Sequence, residues 1–291
     1  NYTKKFMIKI IYYFLQSLFI YLFFLIGKII GLKLSRTLFS NFFLKIGPFV
    51  KSSVVIDKNL NICIGSGINL DKGKITQNMW KNYGMTFIEY IFLKYFKENH
   101  SHIILKGKNV LSQIKKQKKP VIFISGHFAN FELMSMEITK NKIKLATIYR
   151  PLNNFFLNPF MEYLRKKYIC KNQIKKGING VREAIKYIKE DHSIALMIDQ
   201  RVSEGEKISF FGKPALTTTL PAQLSSKFNL DIVPVFIKRK KNELFEIEFH
   251  ETLNPRDYRD KQELSEKLNR VLEKMIIKNP DQWIWTHNRW K

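Results

Sequence analysis

From Ile10 to Ile26 the chain reads IIYYFLQSLFIYLFFLI, and Gln16 and Ser17 are its only strongly polar interruptions. A helix that crosses the hydrocarbon core of a bilayer needs about 20 mostly apolar residues. This run is slightly shorter, but Lys9 and Lys28 bracket it, and their long stems can carry the charges out to the interface. Tyr12, Tyr13 and Tyr21 are side chains that an interface tolerates. The run therefore predicts a membrane helix. A buried core helix and a helix lying flat in the interface are the competing readings. A cleaved leader is disfavoured, because no small-residue cleavage site follows the run. Lys4, Lys5 and Lys9 precede it and Lys28, Lys33 and Arg36 follow it, so flanking charge does not orient it.

No second apolar run of that length occurs. The organisation expected is a membrane-anchoring helix over residues 1–35 and one folded domain over residues 36–291. Hydrophobic residues make up 45% of the 291, enough for a core and too many for a disordered chain. The two cysteines, Cys63 and Cys170, exclude a disulfide framework and a zinc ribbon. Fifty Lys and Arg against 24 Asp and Glu give a net charge of +26, which favours anionic partners. Biased composition, rich in Lys, Asn and Ile, is the bland explanation. The basic clusters (Lys115-Lys116, Lys118-Lys119, Arg165 to Lys167, Lys175-Lys176, Lys238 to Lys241) are scattered, without an aromatic RNA-binding motif or zinc-finger spacing. A membrane surface is favoured over nucleic acid.

Within the domain, Met79, Tyr83, Phe87, Tyr90, Ile91 and Tyr95 recur at helical spacing. Val121 to Ile124 reads as a buried strand, and so do Ile143 to Tyr149, Ile194 to Ile198 and Ile232 to Ile237, the last placed at an edge or bulge by Pro234. Phe245, Ile247 and Phe249 alternate with Glu246 and Glu248, as in a half-exposed strand. Val181 to Ile188 and Leu264 to Met275 are amphipathic helices. Strands alternating with helices predict an α/β fold with a mostly parallel sheet, whose sites lie beyond the strand C-termini.

Polar residues cluster at those ends. In Phe123-Ile-Ser-Gly-His127-Phe-Ala-Asn-Phe-Glu132 a strand runs through Gly126 into His127, and Glu132 follows five residues later. One continuous helix would set the two side chains about 140° apart. They meet only if His127 precedes the helix and folds back, a turn that Gly126 eases. A carboxylate on one imidazole nitrogen would fix the tautomer and raise the basicity of the other, which could deprotonate a hydroxyl. A helix-capping histidine beside a surface glutamate is the bland alternative. Arg150, ending the strand before Pro151, could grip a phosphate or an oxyanion, or form a structural ion pair. Asp199, Gln200 and Arg201 follow the next strand, and Thr217 to Thr219 precede a helix that they could cap. No metal-ligand spacing is present, and a metal or cofactor is not expected.

These segments together resemble the bacterial lipid A late acyltransferases, the lauroyl/myristoyl transferase family. The resemblance rests on GHFANFELM with His127 and Glu132, YRP with Arg150, DQRVSEG from Asp199, FFGKPALTTTLPAQL, IVPVFIK and the ending PDQWIWTHNRWK. NMWKNYGMTFIEY is similar to the stretch that precedes the family's catalytic domain. The resemblance implies a glycerolipid-acyltransferase-like α/β fold at the cytoplasmic face of the inner membrane. It implies acyl transfer from acyl carrier protein to a hydroxyacyl chain of a lipid A precursor, without a cofactor. His127 would be the general base and Glu132 its orienting partner, with Arg150, Asp199, Gln200 and Arg201 as substrate contacts or supports. Residues Ile56 to Lys74 match less well and carry no assigned role. A related transferase acting on another glycerolipid or glycolipid, and a non-catalytic lipid-binding protein, are the alternatives.

Overall fold

The computed structural model describes residues 2–291, with the side chains of residues 1–4 and of Asn242 outside the description; the flanking charge of Lys4 falls there. The apolar run belongs to a long helical stretch, α1 (Tyr2–Val50), interrupted at Gly31, whose φ of 79° is left-handed. The two arms fold against each other. Phe23 meets Phe39 and Phe42 edge-on at 5.6 and 5.3 Å, and the Ser35 hydroxyl donates to the Gly27 carbonyl.

The first arm is neither a free tether nor a core helix. Phe24 packs on Phe87 and Tyr21 on Phe160, while Ile11, Leu15, Leu18, Leu22 and Leu25 on the other face are exposed. One face thus rides on the folded domain and the opposite face is apolar and exposed among the described residues. The second arm lies along α3 (Lys72–Glu89), which follows α2 (Ser53–Gly65). The helical expectation around Met79 to Tyr95 is met by α3, a 3-10 turn and α4 (Leu93–Glu98).

The domain is built on β1 (Ile103–Lys106), β2 (Ile122–Ser125), β3 (Leu145–Tyr149), β4 (Asn172–Lys175), β5 (Ser193–Met197), β8 (Ile232–Arg239) and β9 (Phe245–Phe249). They form one sheet in the order β1-β9-β8-β2-β5-β3-β4, parallel throughout except for the β8–β9 pair. β6 (Glu206–Phe210) and β7 (Lys213–Thr217) make a separate hairpin. Helices α5 (Lys108–Gln117), α6 (Glu132–Lys140), α7 (Asn158–Leu164), α8 (Ile178–Lys189), α9 (Leu220–Phe228) and α10 (Lys261–Lys278) flank the sheet. The expected fold class, α/β with a mostly parallel sheet, is what the chain adopts.

Two strand expectations need correction. Pro234 lies inside the sheet, because β8 pairs with both β2 and β9. Its carbonyl accepts from the His250 N–H at 3.0 Å, so its missing N–H faces the end of the β9 ladder, where no bond to β2 is lost. Glu246 on β9 is buried rather than half-exposed, since Lys238 (2.9 Å) and Lys106 (3.2 Å) close over it.

A charged knot ties these parts together. Glu89, at the end of α3 and 0% exposed, bonds Arg36 of the second arm at 2.6 Å, Arg239 of β8, and the Asn130 amide at 2.9 Å. Burial alone would raise the Glu89 pKa, but the two guanidiniums hold it below the ordinary value.

Candidate active site

Parallel pairing sets the site. β2 and β5 are neighbours with Ser125 opposite Met197, so two residues beyond each strand His127 comes level with Asp199. Gly126 allows the close approach, because a Cβ there would lie 2.9 Å from the Phe128 ring and 3.3 Å from the Asp199 Cβ. The Asp199 carboxylate is 2% exposed and takes three hydrogen bonds. Its Oδ2 accepts the His127 backbone N–H at 2.8 Å and the Trp283 indole N–H at 2.9 Å, and its Oδ1 lies 2.8 Å from His127 Nδ1. An ionised carboxylate only accepts, so Nδ1 carries the proton and Nε2 keeps a free lone pair. The ring edge rests on Phe131 at 4.7 Å.

The electrostatics follow. Burial would raise the Asp199 pKa, but the imidazole and the two N–H donors bring it down to about 2. Burial pulls the His127 imidazole down, yet the Asp199 carboxylate outweighs this and leaves it above its ordinary value. Asp199 is therefore the fixed anion of the pair.

Glu132 does not take the place expected of it. Among the described residues it makes no hydrogen bond to His127. As the first residue of α6 its carboxylate turns to Tyr90, whose hydroxyl donates at 2.7 Å, and to Arg165, whose Nε donates at 2.7 Å. The Arg165 Nη2 also donates to the Tyr90 oxygen at 3.2 Å, and the guanidinium lies over the Tyr90 and Tyr149 rings at 5.9 and 5.6 Å. Burial would lower the Arg165 pKa, but Glu132 beside it drives it up. The reason for the different pairing is the sheet, which supplies His127 with a carboxylate from the adjacent strand end before α6 begins.

One cavity of about 670 Å³ joins these groups, a volume usual for small-ligand sites. His127, Glu132 and Arg165 line it, with an apolar wall of Phe24, Phe87, Phe131, Leu157 and Met161. Its floor is a transverse row on the sheet, Phe123, Ala195, Thr147 and Gln173, which the register sets side by side. That row lies two residues below the strand ends, about 7 Å at 3.3 Å per residue. The Thr147 hydroxyl there is buried, with the Cys170 thiol as its polar neighbour. Arg150, Lys176, Lys51 and Gln200 line the polar part, and Arg150 makes no ion pair with a described carboxylate. Burial and then the charge of Arg150 lower the Lys176 pKa.

Of the site residues expected from sequence, His127, Glu132, Arg150 and Gln200 line this cavity. Asp199 sits behind the imidazole, its oxygens occupied, and is not on the wall. Arg201 does not line the cavity either, and its Nε is buried without a partner among the described residues. Thr219 begins α9 without capping it, since its hydroxyl accepts instead from the Gln223 side chain at 2.9 Å. The Thr217 hydroxyl accepts from Arg289 at 2.7 Å.

Sequence reasoning passed over Arg165, Tyr90 and Trp283. Arg165 read as part of a basic run, but it opens a π-helical turn (Arg165–Ile169), a backbone form common at functional sites. Trp283 belongs to the irregular tail, where Trp285 donates to the Pro280 carbonyl at 2.6 Å and Trp290 to the Phe210 carbonyl at 3.0 Å. The signal available was the density of tryptophan in that tail.

The family described as bacterial lipid A biosynthesis acyltransferase matches residues 3–291. This chain belongs to that family. A lipid A biosynthesis palmitoleoyltransferase of Escherichia coli (strain K12) is 23% identical over 258 residues, 84% of this chain and 80% of that protein. A lipid A biosynthesis acyltransferase of Haemophilus influenzae is 22% identical over 254 residues, 85% and 79% of the two chains. A lipid A biosynthesis lauroyltransferase of Escherichia coli is 21% identical over 248 residues, 81% and 78%. Among solved structures, the 1-acyl-sn-glycerophosphate (LPA) acyltransferase PlsC from Thermotoga maritima aligns with a TM-score of 0.42 and 15% identity, covering 87% of this chain and 100% of that one, too distant a likeness to bear on the site. The family makes this an acyltransferase of lipid A biosynthesis, working on a lipid A-type substrate in a membrane setting.

Proposed function

We propose that this protein transfers a fatty acyl group from acyl carrier protein to a hydroxyacyl chain of a lipid A precursor of the Kdo-lipid IVA kind. The transfer takes place at the cytoplasmic face of the inner membrane, with residues 1–35 as anchor and residues 36–291 as catalytic domain. The observation that carries this reading is the His127 Nε2, left free on the wall of an apolar-lined cavity while Asp199 fixes Nδ1.

The chemistry needs no cofactor, because the acyl thioester is already activated. His127 takes the proton of the acceptor hydroxyl as its oxygen attacks the thioester carbonyl. A C–O bond forms, and the carbonyl electrons move onto the oxygen. The Arg165 guanidinium, held by Glu132 and Tyr90, offsets that charge. The intermediate collapses, the C–S bond breaks, and the imidazolium returns its proton to the departing thiolate. Glu132 thus acts through Arg165 rather than as the hydrogen-bonded partner of His127. Arg150, which makes no ion pair among the described residues, meets phosphate together with Lys176 and Lys51, on the acceptor or on the carrier's prosthetic arm. Gln200 supports that region, and Arg201 backs it from outside the wall.

The test is mass spectrometry of a tetra-acylated lipid A precursor incubated with acyl carrier proteins of several chain lengths, beside a glycerophospholipid and a glycolipid acceptor. One acyl addition to the precursor, lost in a folded His127→Ala protein, is the expected result. Addition only to another acceptor would assign a different lipid, and unchanged turnover by the variant would remove His127 as the base.

A further inference from the structure

The first arm of α1 and the segment from Leu152 to Asn158 are joined in a way that the apolar run alone does not explain. Gln16, the polar interruption in that run, accepts at 2.9 Å from the Asn154 side chain, which also donates to the Tyr13 carbonyl at 2.8 Å. Asn154 is 6% exposed. Its Oδ1 in turn accepts the N–H groups of Phe156 and Leu157 at 3.0 and 3.2 Å. The Asn158 side chain accepts the Leu152 N–H at 2.8 Å, the Asn158 N–H bonds the Asn154 carbonyl at 2.9 Å, and the Tyr21 hydroxyl donates to the Phe156 carbonyl at 2.9 Å. Several backbone groups of an irregular segment are thereby satisfied by the protein itself, which lowers the cost of taking that segment out of water.

The side chains that this segment turns outward are apolar except Asn153. Phe155 is 50%, Leu152 38% and Phe156 36% exposed. Phe155 and Phe156 pack edge-on against Tyr13 and Phe14, so their outer surface continues the exposed face of α1. On its inner side the same segment lines the cavity through Leu152 and Leu157.

We infer that the segment Leu152–Asn158 inserts its aromatic side chains at the headgroup/acyl boundary of the bilayer as a second insertion element, docked on α1 by Asn154, so that the cavity opens at the lipid rather than into water. The inference rests on α1 being a membrane helix, and the experiment separates the two. Nitroxide labels are placed on the full-length protein, one per variant, at Phe155→Cys, Leu18→Cys and Lys189→Cys. Cys63 and Cys170 are buried, which keeps them from competing. The variants are reconstituted in vesicles of phosphatidylethanolamine and phosphatidylglycerol. Spin relaxation by dissolved oxygen, which enters lipid, is compared with that by a water-soluble nickel chelate. The expected result is that the label at Phe155 matches that at Leu18, oxygen-accessible and shielded from nickel, while Lys189 on α8 is nickel-accessible. A water-exposed Phe155 label with Leu18 in lipid overturns the inference and leaves the anchor intact. Water exposure of both overturns the inference and the membrane reading of α1 together. Should the Phe155 variant not fold, Phe156→Cys, at a position that is exposed beside Phe14 and does not line the cavity, gives the same readout.

Discussion

Two buried carboxylates, Asp199 and Glu89, are satisfied by opposite strategies. Glu89 receives two arginines and an amide, is closed off from solvent, and ties α1, α3, β8 and the loop carrying Asn130 into one body. Asp199 receives two neutral N–H donors and one imidazole, and the imidazole keeps a free nitrogen on the cavity. A carboxylate neutralised by guanidiniums that never lose their protons is a joint. A carboxylate paired with an imidazole, which can gain and lose a proton, leaves that imidazole as a poised base. The Glu132–Arg165–Tyr90 cluster stands between the two: it is built like a joint, yet one side of it faces the cavity.

The largest effect that would break this contrast is His127→Ala. Loss of a positioned general base lowers kcat by about 10²–10⁴-fold, while circular dichroism and thermal unfolding stay near wild type. Glu89→Gln is the mirror experiment. Removing the charge between two buried arginines costs about 3–5 kcal/mol of stability, to be measured by denaturant unfolding in detergent. Protein that remains folded should keep most of its specific activity, and a purely catalytic loss would erase the distinction between the two sites.

Asp199→Asn sharpens the comparison through pH. His127 must be neutral to accept a proton, and its pKa lies above its ordinary value of 6.5, so activity rises with pH through that raised value. Loss of the carboxylate withdraws support from the imidazolium, lowers the pKa, and moves the acid limb of kcat/KM to lower pH. The height of the plateau should fall by about 10²-fold. An unmoved limb would mean that another group sets it. The smallest effect is expected at the cavity floor. Thr147→Val removes a buried hydroxyl whose polar neighbour is the Cys170 thiol, and should change stability by no more than about 1 kcal/mol, read as a shift in Tm of at most about 2–4 °C. It should also favour acyl chains that reach the floor, read as a shift in product distribution from mixed donors.

The sequence made the elements legible where periodicity was strong. The buried strands β2, β3 and β5, the helices α8 and α10 and the parallel α/β class all follow from patterning. It misplaced Pro234 and Glu246, since strand neighbours are long-range facts: β8 is interior because β9 returns beside it, and Glu246 is buried because lysines of two other strands cover it. At the site, His127 and Glu132 were legible as chemistry, but not their partners. Sequence distance suggested pairing His127 with the acid five residues away. Sheet register paired it with the acid 72 residues away.

By itself the sequence determined that an apolar helix precedes an α/β domain, and that a histidine ends one of its central strands. Local periodicity and turn chemistry act within a few residues of the chain. The tertiary structure alone decided which carboxylate holds the imidazole, that Arg165 and Tyr90 claim Glu132, and that Gln16 is a docking contact for Asn154 rather than a flaw in an apolar helix. Each of those choices depends on which strand ends and helix faces become neighbours in space, and no spacing along the chain encodes that.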